Sequence, residues 1–91
     1  MNITPIGHIG GTHRTGGLSG ISAGEISNIL GFKPNVQDDP DKVVNSWAGE
    51  GDGEQFAIWD YKGSHRYNEF STWGDADTLS SIFGSNYTAE R

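Results

Sequence analysis

Cysteine is absent from this 91-residue chain, which removes disulfides and thiolate metal centres from consideration. Basic residues are scarce. Six Lys and Arg stand against twelve Asp and Glu, for a net charge of −6 and a pI near 4.7. Affinity for phosphate backbones comes mainly from Lys and Arg, so duplex nucleic acid is excluded as a direct partner. No apolar run approaches the ~20 residues that span a bilayer, and the first residues lack the charged and apolar regions of a signal peptide. The expectation is a cytoplasmic protein with no membrane contact. There is no internal repeat.

What the chain has in excess is glycine and aromatic surface. Half of its 14 glycines fall before Glu25, and Phe, Trp and Tyr make up 11% of the chain. Residues 1–20 therefore read as a flexible Gly-rich arm, whose first residues, Ile3-Thr4-Pro5-Ile6, could add an edge strand. Proline removes a ladder donor and confines a strand to an edge. Residues 21–84 form a single domain, and residues 85–91 a mobile tail.

Within the domain the helix signals are specific. Ser22 and Glu25 have capping-box spacing, and Ile21 and Ile26 that of a hydrophobic staple. Ile26, Ile29 and Leu30 share one face, and Gly31 suits a left-handed stop. A second helix is capped by Asp75 or Asp77, carries Leu79, Ile82 and Phe83 on one face and closes at Gly84. Asp39-Pro40 could begin a short helical turn. Between the helices lie three strand-like runs, at 43–50, 54–62 and 67–73, joined by Gly51-Asp52-Gly53 and by Gly63-Ser64-His65-Arg66.

The predicted fold is therefore α+β: a three-stranded antiparallel meander, with a possible fourth N-terminal edge strand, and two short helices packed on one face. Alternation in the middle strand sends Phe56, Ile58 and Asp60 one way and Ala57, Trp59 and Tyr61 the other. Phe56, Ile58 and Phe70 are assigned to the core beneath the helices. The opposite face would then display Trp59, Tyr61, Tyr67 and Trp73, with Trp47 nearby.

That aromatic face is the leading candidate site, because Trp and Tyr bury large areas and keep a polar handle. The alternative is that these rings only cover the rim of the core. Asp60, among the aromatics, requires a partner such as Arg66 or Lys42; it reads as a structural ion pair or as a ligand contact. Gly10 to Gly17 enclose His13 and Arg14 and precede a helix, a weak anion cradle without the lysine of a phosphate-binding loop. The aspartates at 38, 39, 41 and 52 lack Ca²⁺-loop spacing, and His8, His13 and His65 form no ligand pair. No metal and no cofactor is expected.

The runs Asp38-Asp39-Pro40-Asp41-Lys42-Val43, Ser46-Trp47 and Ile58-Trp59-Asp60-Tyr61-Lys62-Gly63 are similar to segments of small accessory proteins of tailed phages, over about residues 21–83. This resemblance implies a product acting stoichiometrically on host machinery, of the anti-CRISPR or wider anti-defence kind, in the host cytosol. It carries no functional residues across. Three functions remain open at this level. The first is a non-enzymatic binding module that inhibits a host protein or self-associates through Trp47, Trp59, Tyr61 and Trp73. The second is a small-ligand module that stacks a nucleotide-like signal on aromatics and holds its phosphate with Arg14 or Arg66. The third is a small enzyme using Asp60, His65 and Arg66.

Overall fold

The computed structural model describes residues 2–7, 13–36 and 45–90. The expected Asp39-Pro40 cap, Lys42 as a partner for Asp60, and His8 lie outside them. The fold is α+β, and the described residues form one six-stranded antiparallel sheet and two α-helices.

The three expected strands are present as β3 (Ser46–Gly51), β4 (Glu54–Trp59) and β5 (Glu69–Gly74). Asp52 and Gly53 close the β3–β4 hairpin with φ of 50° and 82°. Both values lie in the left-handed region, which the primed hairpin turns require and which Gly enters without steric cost. β1 (Ile3–Pro5) pairs with β3 as an edge strand, where Pro5 is tolerated.

Two further strands appear where loop and tail were expected. β2 (Gly16–Ser19) and β6 (Tyr87–Ala89) pair with each other, and β2 also pairs with β5. The order across the sheet is β1-β3-β4-β5-β2-β6. The turn between β4 and β5 is a 3₁₀ segment, Ser64–Tyr67, so Tyr67 leaves the sheet and β5 begins two residues later than predicted.

α1 (Ala23–Leu30) starts as its sequence dictates. Ser22 Oγ accepts from the Glu25 N–H at 3.1 Å, Glu25 Oε1 accepts from the Ser22 N–H at 3.2 Å, and Gly31 closes the helix in the left-handed conformation. α2 (Ala76–Phe83) is capped by Asp75 through the Thr78 N–H at 3.0 Å. Ile26, Leu30, Leu79 and Phe83 join Leu18, Ile21, Trp47, Phe56, Ile58 and Phe70 in one core. Both helices therefore cover the same sheet face. Ile29 departs from the expected stripe and is 44% exposed.

Phe56, Ile58 and Phe70 lie in the core as assigned. Trp47 corrects the prediction that it joins the aromatic face. It pairs directly with Ile58 and shares that residue's side of the sheet, because paired residues project to the same face. It is fully buried, stacks edge-on against Phe70 at 5.8 Å, and donates its indole N–H to Ser27 Oγ at 3.3 Å. Gly49 makes room for the Phe56 ring: a Cβ there would come within 2.8 Å of Phe56 Cζ.

Candidate functional site on the helix-free sheet face

The register builds the opposite face residue by residue. One row runs across the sheet through Ser46, Trp59, Ser71, Gly17 and Thr88, and the next through Ala48, Ala57 and Trp73. Small side chains form the floor. Ser46, Ala48, Ala57 and Ser71 are buried although neither α1 nor α2 lies over them, while Trp59 and Trp73 are half-buried. The two indoles stand on adjacent strands, one row apart, above that floor.

Arg14 crosses one end of the face. The residue after it extends the sheet: the Thr15 N–H donates to Thr72 O at 2.8 Å, and the Glu90 N–H to Thr15 O at 3.0 Å. Arg14 Nη1 donates to Ser71 Oγ at 2.7 Å, and its Nε pairs with Glu90 Oε1. A Cβ on Gly17 would lie 2.7 Å from Arg14 Nη2, so the glycine gives the guanidinium its seat.

Two open cavities lie along this face, the second of them lined by Trp73. One, of about 600 Å³, is lined by Arg14, Tyr61, Ser64, Glu69, Ser71 and Glu90 among others. The second, of about 550 Å³, lies towards the β3–β4 hairpin. Its lining includes Trp73, Thr15, Gln55, Glu50, Glu54 and Asp75, and among the described residues no Lys or Arg. Tyr61 is 45% exposed, with Lys62 Nζ 5.3 Å from its ring centroid.

The residues singled out in the sequence separate into groups. Trp59 and Trp73 share the helix-free face, and Tyr61 and Arg14 line one cavity on it. Trp47 is in the core. Tyr67, 78% exposed, and Arg66 belong to the 3₁₀ turn rather than to the sheet face. His13 is exposed. At the described end of the glycine segment, Gly16 and Gly17 enter a strand paired on both sides, which engages their backbone in ladders. Arg14 already has a carboxylate.

Asp60 is fully buried at the end of β4. Its Oδ1 accepts from the Asn45 N–H at 3.1 Å and its Oδ2 from Asn45 Nδ2 at 2.9 Å, while His65 Nδ1 lies 2.8 Å from Oδ2. Buried charge is tolerated only when hydrogen-bonded and paired. This arrangement ties the far end of the β3–β4 ladder to the 3₁₀ turn. Asp60 and His65 are thus together, as an acid–base reading requires. The neighbouring hydroxyl, Ser64 Oγ, accepts from the Tyr61 N–H at 3.1 Å. Among the described residues no group of three or more His, Asp or Glu is placed to hold a metal.

Sequence reasoning passed over Glu50, Glu69, Ser71, Asp75 and Glu90. Glu50 and Ser71 alternate correctly within their strands, and that period was the available signal. Glu90 becomes visible only through the pairing of β6 with β2. No protein family, curated protein or solved structure matches the chain. No helix among the described residues is long and apolar enough to cross a membrane.

Proposed function

We propose that this chain is a non-enzymatic binding module that engages a partner protein through the helix-free face of its sheet. The observation that carries this reading is the pair Trp59 and Trp73, half-buried on a floor of Ser46, Ala48, Ala57 and Ser71 that no helix of the described residues covers. Aromatic rings fixed on a rigid sheet lose little side-chain entropy on binding and supply large contact area, the profile of an interface hot spot. The likeness to tailed-phage accessory proteins extends the proposal: the partner is a host protein of defence or nucleic-acid handling, and the chain inhibits it stoichiometrically.

A nucleotide-like ligand is the second reading, favoured by Arg14 and Tyr61 sharing one cavity. Against it, Glu90 pairs with that guanidinium and Glu69 lines the same space, so a phosphate would have to displace one carboxylate and approach another.

The test is affinity capture from a bacterial lysate, identification of the captured protein, and titration of that protein with wild type and with Trp59→Ala/Trp73→Ala. The double variant should lose at least about tenfold in affinity, since hot-spot truncations cost ~2 kcal/mol or more. Its circular dichroism spectrum should be unchanged. Undiminished affinity in a folded double variant would overturn the proposal.

A further inference from the structure

The cavity at the hairpin end of this face has an unbalanced charge. Among the described residues, Glu50, Glu54 and Asp75 line it together with Trp73, and no Lys or Arg does. Among the described residues no cation pairs with any of the three carboxylates. Asp75 uses Oδ2 to cap α2 through Thr78 and is exposed at the cavity's edge. Glu50 is half-buried and follows Ala48 on the helix-free side of β3, where its carboxylate is less screened than a fully exposed one. The acidic character continues across the sheet, where Glu69 and Glu90 line the second cavity and Glu90 already holds Arg14.

Resting on the reading of this face as the binding surface, we propose that its occupant is an extended basic polypeptide segment, and that one Lys or Arg side chain of that segment enters the cavity against Trp73 and among Glu50, Glu54 and Asp75. The chemistry is complementary in two respects. The face of an indole attracts an ammonium or guanidinium through its quadrupole, and carboxylates accept a guanidinium's hydrogen bonds in a planar, often bidentate geometry. The floor of Ala and Ser lets an extended main chain lie close to the sheet between the two tryptophans. A second copy of this chain fits poorly. A two-fold interface sets the same patch against itself, and here that would oppose carboxylates with carboxylates. Charge complementarity also steers encounter, and the net charge of −6 acts in the same direction.

The experiment titrates the full chain with three synthetic peptides of equal length and blocked termini: alternating Arg-Ser, alternating citrulline-Ser and alternating Glu-Ser. Calorimetry gives affinity. Emission of a Trp59→Phe variant reports on Trp73, because Trp47 is sealed in the core. The Arg-Ser peptide should bind and shift the emission, and the other two should not. Glu50→Gln/Glu54→Gln should weaken binding by about tenfold or more, whereas Glu25→Gln, which keeps its capping role on the other side of the sheet, should leave affinity unchanged.

Equal binding of the citrulline peptide, equal weakening by Glu25→Gln, or no binding of the Arg-Ser peptide would overturn the basic-segment assignment. The face itself is judged separately: a partner lost in Trp59→Ala/Trp73→Ala but indifferent to Glu50→Gln/Glu54→Gln would keep the surface and discard its cationic occupant.

Discussion

Tyr87 shows how a single polar atom can couple this fold to pH. Its hydroxyl is buried and has no hydrogen-bond partner among the described residues. The phenol is pushed above the ordinary tyrosine range, first by desolvation and second by the negative charge of Asp75. A raised folded-state value means that the folded protein favours the neutral phenol. The resulting stability is fully present below the unfolded value of ~10 and is lost as pH rises through the higher folded value. Tyr87→Phe cannot ionise and removes an orphaned hydroxyl. Chemical denaturation should therefore find it equal to wild type at pH 7, or more stable by up to ~1 kcal/mol, with its advantage growing above pH 10. A variant that loses stability at pH 7, or a difference that shrinks on the alkaline side, would show that the hydroxyl has a partner. Trp47 makes a related point about what one residue's sequence context can reveal. Its size and its polar N–H suited an interface as well as a core, and only its pairing with Ile58 and the Ser27 hydroxyl decide between them.

At the level of elements, legibility followed locality. α1 was readable because its cap, staple and stop lie within eleven residues and act on one another. The β3–β4 hairpin was readable because Asp52-Gly53 suits one class of turn. β2 was not. Gly16-Gly17-Leu18-Ser19 has no alternation to detect, since one glycine seats Arg14 and the other lies under the Tyr87 ring, where a Cβ would meet Cε1 at 2.8 Å. β6 is three residues long and pairs with a strand about seventy positions earlier in the chain, a contact with no local signature. The candidate face was half legible: Trp59 and Trp73 came from period-two alternation, while the carboxylates around them needed the register.

The non-local pairing has a testable consequence. Truncation after Asn86 removes β6 and Glu90 but keeps the Asn86 side-chain donation to Ser19 O at 2.9 Å. It exposes the ladder edge of Gly16, Gly17 and Leu18. An uncovered edge templates pairing with another chain, so the truncated protein should melt several degrees lower and elute as dimers or larger species on size-exclusion chromatography. A monomer with wild-type melting behaviour would mean that β6 contributes nothing to the sheet.

Across the whole molecule, twelve acidic side chains outnumber six basic ones; among the described residues Arg14 pairs with Glu90 at the surface, and His65 Nδ1 lies against the buried Asp60. The remaining carboxylates repel one another, and the hairpin end concentrates three of them with no cation among the described residues. Repulsion of this kind destabilises the compact state and is screened by salt, the Debye length falling from ~30 Å at 0.01 M to ~3 Å at 1 M. Raising NaCl from about 0.01 to about 0.5 M should therefore raise the melting temperature. Relief of ~1 kcal/mol corresponds to roughly 4–8 °C in a domain of this size. The same screening weakens attraction to a basic segment, so affinity for the Arg-Ser peptide should fall over the range in which the fold gains stability. Most proteins that rely on surface ion pairs would lose both together. Opposite slopes for melting temperature and affinity identify a surface whose charge is held against the fold and in favour of a partner. A melting temperature that falls with salt would instead mean that the pairs outweigh the repulsion, and that the acidic face is already neutralised within the chain.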